Sequence, residues 1–180
     1  MKTTMVLTSL LALAGTGCSP KVSETTETTN ASLQPSVTAV RASADLPESI
    51  KGFAFEQGGK CAIDTVNTDV GKGQVIRAVA KDPFYVQGWA LDDEKKAVPS
   101  DVVLQLVAPE NKSFFYVVLT RSGSRPDLVK AYENKAYVSA GYSQMADISV
   151  VKPGTYDVLI IQKRDNINLV CSTYRKLQVK

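Results

Sequence analysis

A chain of 180 residues, 44% hydrophobic and 22% charged, has the size of one globular domain, too polar overall to lie within a membrane and too apolar to be disordered throughout. Its formal charge of +3, or +2 once Lys2 leaves with a leader, is too weak for nucleic acid, which needs a clustered basic face. Histidine is absent, which excludes Ser-His-Asp and Cys-His nucleophiles, HExxH zinc sites and most imidazole acid–base chemistry.

Residues 1–17 have the parts of a signal peptide: a basic start at Lys2, an apolar run from Met5 to Ala14, and small residues before a processing point. The run is too short to cross a bilayer as a helix. Leu13-Ala14-Gly15-Thr16-Gly17-Cys18 resembles a bacterial lipobox, which implies that Cys18 is lipidated and becomes the first mature residue; the competing reading is cleavage after Ala14, at Ala12-Leu13-Ala14. Residues 18–49, rich in Ser, Thr, Glu, Ala and Pro, cannot bury enough apolar surface to offset their chain entropy and read as a flexible linker. A tether behind acyl chains lets a domain stand off a membrane to which the lipid alone attaches it. By resemblance to enterobacterial lipoproteins, Ser19 beside Cys18 implies sorting to the outer membrane, with the domain facing the periplasm.

From 50 to 180 the pattern predicts an antiparallel immunoglobulin-like β-sandwich of about seven to nine strands. Strands are expected over 61–66 and 75–80, then over Phe84–Leu91, which holds the only Trp. There Phe84, Val86, Gly88 and Ala90 share one face and Tyr85, Gln87, Trp89 and Leu91 the other; both are mostly apolar, as an inner strand requires. Gly88 marks a close approach, such as an aromatic ring crossing the strand. Residues 102–107 and 114–119 read as a hairpin, 127–132 as one short helical turn, and 137–142, 147–151, 156–162 and 169–179 as the remaining strands.

With Cys18 taken by lipid, Cys61 and Cys171 remain, on the first and last predicted strands, and an oxidising compartment favours their pairing. Closing so long a loop stabilises by roughly 4 to 5 kcal/mol on chain-entropy arguments. Two cysteines without histidine are too few ligands for a metal, and neither metal nor cofactor is expected.

Several side chains have both a binding and a structural reading. Trp89 is a ligand platform or a core aromatic. Asp92 and Asp93, with Glu94, make a calcium loop or a solvated hairpin end; two lysines follow at once and the EF-hand spacing is missing. Arg121, Arg125 and Asp127 bind an anion or a sugar hydroxyl, or cap a helical turn. Tyr85, Tyr132, Tyr137, Tyr142 and Tyr156 form a run of tyrosines that suits a recognition surface or a sheet. No spacing positively supports paired carboxylates for glycoside hydrolysis.

Gly88-Trp89-Ala90-Leu91-Asp92, then Arg125-Pro126-Asp127, then Pro153-Gly154-Thr155-Tyr156, is similar to poorly characterised bacterial immunoglobulin-like domains found outside the cytoplasm, some alone on lipoproteins and some appended to membrane glycosyltransferases. The resemblance spans about residues 61–180 and carries no activity with it. The expectation is a noncatalytic envelope lipoprotein, held to the membrane by its N-terminal lipid, that recognises another envelope protein or a glycan. The alternatives are a small inhibitor or exclusion factor that inserts the 92–99 loop into a cell-wall hydrolase, and a carboxylate-based enzyme acting on saccharides.

Overall fold

A computed structural model describes residues 38–67, 69–70, 73–109 and 113–180. The expected signal peptide, Cys18, the linker up to residue 37, and turn residues 71–72 and 110–112 lie outside the described residues. The fold is all-β. Its elements are β1 (Val40–Arg41), β2 (Ala54–Gln57), β3 (Lys60–Val66), β4 (Asp69–Val70), β5 (Val75–Ala78), β6 (Phe84–Leu91), β7 (Val102–Val107), β8 (Phe114–Arg121), α1 (Pro126–Tyr132), a 3-10 helix (Lys135–Ser139), β9 (Gly141–Asp147), β10 (Gly154–Arg164) and β11 (Ile167–Val179).

The strands form one curled sheet in the order β2-β11-β10-β7-β8-β9-β6-β3-β4, with β1 beside β9 and β5 beside β11. The curl turns on β8, whose first six residues pair with β7 while Thr120 and Arg121 pair with β9. Phe84 and Val86 of β6 and Ile63 of β3 thereby share one core with Leu104 and Leu106 of β7, Ile160 of β10 and Leu177 of β11.

The wholly antiparallel expectation does not hold. The long strands are antiparallel, but β1 runs parallel to β9, and β2 and β5 run parallel to β11. β5 falls within the strand expected over 75–80; β1 and β2, like β4, are too short to carry an alternation that reads as a strand, and they raise the count among the described residues to eleven. The folded part also begins before residue 50. Val40–Arg41 pairs with β9, Ala42 is buried and Ser43 bridges Tyr116, so residues 40–43 belong to the sheet and not to a linker.

Two further corrections concern local polar groups. The strand expected over 137–142 gives way to the 3-10 helix, whose first turn is capped where Asn134 Oδ1 accepts the Ala136 N–H at 3.0 Å; β9 starts only at Gly141. The strand expected over 147–151 is a turn. Asp147 Oδ1 accepts the Ser149 N–H at 2.9 Å and the Val151 N–H returns to the Ile148 carbonyl, so the apolar residues Ile148 and Val151 enter the core from a bend.

β6 lies between β3 and β9 with both edges paired. Phe84, Val86 and Ala90 face the main core, while Trp89 and Leu91 face a second cluster built on Leu128 of α1, Tyr137 and Ala140. A ring does cross Gly88: Tyr142, opposite it on β9, donates from its hydroxyl to the Ala62 carbonyl of β3 at 3.0 Å. A Cβ at Gly88 would lie 2.5 Å from that hydroxyl and against the Ala62 oxygen itself.

Candidate binding surface

The curled sheet does not close. β3 and β11 are not hydrogen-bonded neighbours, and three side-chain links join them or their surroundings instead. Cys61 and Cys171 form the expected disulfide with their Cα atoms 6.2 Å apart. Arg175 Nη1 donates to the Ile63 carbonyl at 3.1 Å, and Gln162 Nε2 of β10 donates to the Lys60 carbonyl at 3.1 Å. Along this seam β4 pairs only with Thr65 and Val66 of β3, while β2 and β5 flank β11 at 167–170 and 176–179. The β11 edge from Cys171 to Arg175 therefore lacks a strand partner on that side.

Three grooves run along the seam. One, of about 480 Å³, is lined by Lys60, Asp93, Tyr132, Asn134 and Tyr137 among others. The next, about 390 Å³, contains Lys60, Gly58, Gly59, Trp89, the disulfide and Tyr174. The third, about 480 Å³, contains Tyr174, Ser172, Arg175, Lys176 and Gln74. Lys60 belongs to the first two and Tyr174 to the last two, so the grooves follow one another.

The aromatic side chains of this track are packed on one another. Trp89 and Tyr132 meet edge to face at 6.3 Å between centroids, and Tyr132 and Tyr137 at 5.7 Å. Lys60 Nζ sits 5.2 Å from the Tyr132 ring centre and 3.2 Å from Asp93 Oδ2. Trp89 is half-buried, so it serves both readings: it packs on the second cluster and still lines a groove.

The other residues singled out from the sequence lie elsewhere and are engaged. Asp92 is buried; its Oδ1 accepts the Glu94 and Lys95 N–H groups at 3.1 and 3.0 Å, and Arg164 Nη1 at 3.3 Å. Glu94 also takes Arg164, at 2.7 Å, so an arginine stands where a cation would have to sit. Arg125 grips Asp127 with two bonds, Nε to Oδ1 at 2.9 Å and Nη2 to Oδ2 at 2.7 Å, while its Nη1 reaches Asp64 at 2.7 Å. That grip holds the Asp127 carboxyl below its ordinary range. Asp127 thus stands in the first turn of α1 but bonds a side chain, and Arg125, at the cap position, makes no side-chain cap bond. Arg121 donates to the Pro99 carbonyl. Tyr142 is buried in the core, where desolvation pushes its phenol far up.

Of the residues singled out from the sequence, the track gathers Trp89 and Asp93 and, from the run of tyrosines, Tyr132 and Tyr137. Lys60, Tyr174 and Arg175 complete it, and none stands in a motif; only topology brings them together. Comparison with protein-family models finds no match, and no curated protein matches the chain.

Proposed function

We propose that this chain is a noncatalytic, lipid-anchored module of the bacterial cell envelope, folded as an immunoglobulin-like sandwich, that binds a saccharide along the β3–β11 seam. The observation that carries the reading is the Lys60 track: Trp89 and Tyr132, the latter backed by the buried Tyr137, offer apolar ring surface while Lys60, Asp93 and Asn134 offer donors and acceptors within the same two grooves. A sugar ring presents apolar C–H faces and a polar rim, and a binding site for it needs that combination. The noncatalytic part is supported by the pairing of carboxylates with cations: Asp64 and Asp127 with Arg125, Asp92 and Glu94 with Arg164, Asp93 with Lys60, Asp157 with Lys176.

The test is calorimetric titration of the mature chain with β-linked oligosaccharides, together with co-sedimentation on insoluble cell-wall glycan. Binding that falls at least tenfold in Trp89→Ala and Lys60→Ala, with thermal unfolding still cooperative, is expected. A wild-type chain that binds no oligosaccharide at millimolar concentration rejects the reading. Intact mass of protein from its native membrane tests the anchor: a diacyl or triacyl chain beginning at Cys18 is expected, and a soluble chain beginning at Gly15 rejects it.

One observation favours the inhibitor reading as the alternative. The 92–99 loop is tied at its base by paired Asp92–Ala97 backbone bonds of 3.0 Å and by Arg164, so it meets a target already ordered. Binding to a purified cell-wall hydrolase that is abolished by shortening this loop, and not by Trp89→Ala, would favour that reading.

A further inference from the structure

Arg175 carries a hydrogen-bonding edge with nothing on it. The residue is only 8% exposed, its Nη1 is spent on the Ile63 carbonyl, and its Nε and Nη2 are buried without an acceptor among the described residues. No described carboxylate makes an ion pair with it; the nearby Asp157 is taken by Lys176 at 2.7 Å. A buried guanidinium without a countercharge is costly, and an anion on its free edge would supply both the acceptors and the charge.

The same molecule shows what that edge accepts. In Arg125 it is Nε and Nη2 that hold the two oxygens of Asp127, at 2.9 and 2.7 Å, while Nη1 serves a separate partner. Arg175 repeats this layout with the carboxylate missing. The fork is planar, so a two-oxygen anion completes it and a point charge does not.

Arg175 lines the third groove of the seam together with Tyr174 and Lys176. Its neighbour Tyr174 is 86% exposed and has φ +55°, the one positive φ that a non-glycine residue shows inside a described strand. It lies at the irregularity where the β10–β11 register shifts between Val158 and Leu159. Thr173 and Tyr174 are unpaired there, and Tyr174 stands at the junction of the second and third grooves.

We propose that Arg175 is an anion-binding residue whose Nε–Nη2 edge receives a carboxylate of the bound saccharide, making the ligand an acidic glycan, with entry by displacement of the Thr173–Tyr174 bulge. The proposal rests on the saccharide reading of the Lys60 track, of which the third groove is the continuation. Lys176 and Lys60 add positive charge along the path, but their contribution is screened by salt, whereas a buried fork keeps its preference.

The experiment compares hexagalacturonate with its fully methyl-esterified form, which keeps the shape and loses the charge, by calorimetry on the mature chain at physiological ionic strength. The acid is expected to bind at least tenfold more tightly. Arg175→Lys, which keeps the charge and loses the fork, should weaken binding of the acid at least tenfold and so remove that preference. Equal affinity for acid and ester in the wild type overturns the Arg175 assignment and leaves the saccharide reading standing. Equal affinity for a hexaglutamate peptide overturns the assignment of a glycan.

A second measurement needs neither variant nor saccharide: thermal unfolding of the wild type in sodium acetate against sodium chloride at matched ionic strength. Acetate should raise the midpoint saturably if the fork takes a carboxylate; no difference between the salts overturns it, even if no oligosaccharide binds.

Discussion

The sharpest test of the fold is Gly88→Ala. An added methyl would lie 2.5 Å from the Tyr142 hydroxyl and 2.8 Å from Tyr142 Cζ, and against the Ala62 carbonyl oxygen. Two of these are poor candidates for relief: the carbonyl belongs to β3, which pairs with β6 through Ile63 and Gly88, and the tyrosine ring is buried. Forcing apart a packed core costs about 1–3 kcal/mol. Losing the Tyr142–Ala62 hydrogen bond adds about 1–3 kcal/mol for buried groups left unpaired. The sum, about 2–6 kcal/mol, is a large part of a typical domain's stability. Urea unfolding with the disulfide intact should show the midpoint falling accordingly at an unchanged slope. Gly52→Ala is the control: with φ +81° and no atom within 4 Å of its Cβ, it carries backbone strain alone, about 1 kcal/mol. Tyr142→Phe removes the hydroxyl, and combined with Gly88→Ala it should cost less than the two single changes added together. A Gly88→Ala loss no larger than that of Gly52→Ala, or strict additivity with Tyr142→Phe, would refute the crossing-ring account.

Replacing both Cys61 and Cys171 by Ser should lower stability by about 2–5 kcal/mol, read from the urea midpoint, because the bond closes a loop of 110 positions. Asp92→Ala should cost about 2 kcal/mol and loosen the 92–97 turn, seen as faster amide exchange at Glu94 and Lys95, whose N–H groups lose their acceptor. The folded Asp127 carboxyl titrates below its unfolded value of about 3.9, chiefly through its hydrogen bonds from Arg125. The stability it contributes is therefore present above about pH 4 and fades as the pH falls below that. Asp127→Asn should flatten the acid limb of a stability–pH profile below about pH 4, and an unaltered limb would reject the assignment.

Much of the fold was legible because long strands declare themselves by alternation. Phe84–Leu91 and Val102–Val107 run over the expected residues, and the close approach at Gly88 follows from a glycine placed in an otherwise apolar inner strand. The disulfide followed from cysteine arithmetic. What escaped has physical reasons. Tyr137 and Val138 are good strand residues by propensity, but the Asn134 cap and the burial of Tyr137 against Leu91 select a 3-10 helix. β1 and β2, of two and four residues, have no periodicity to read, and β5 shows itself as a strand but not the partner beside which it runs parallel, so these pairings went unseen, and with them the curl. Arg175 lies within the last expected strand, between Tyr174 and Lys176, with no motif to mark it. The bulge that precedes it sets its side chain on the same face as Leu177, towards the core.

The position of the seam also explains why the proposed track opens there. An unclosed sheet leaves two edges with unpaired backbone groups, which invite pairing with another chain unless they are covered or held apart. Directly opposed antiparallel strands bring Cα atoms to about 4.5–5.5 Å; Cys61 and Cys171 stand 6.2 Å apart, too far for such a ladder, and the links that flank them are single side-chain bonds to carbonyls. The disulfide thus fixes the two edges near each other without letting them zip. It leaves grooves lined by Trp89, Tyr132 and Tyr174. Had β3 and β11 paired along their length, the sheet would have closed and Lys60, Tyr174 and Arg175 would have had no common opening. The same staple that compensates for the unclosed sheet keeps the track accessible, so binding along it should depend on the disulfide more steeply than the fold does.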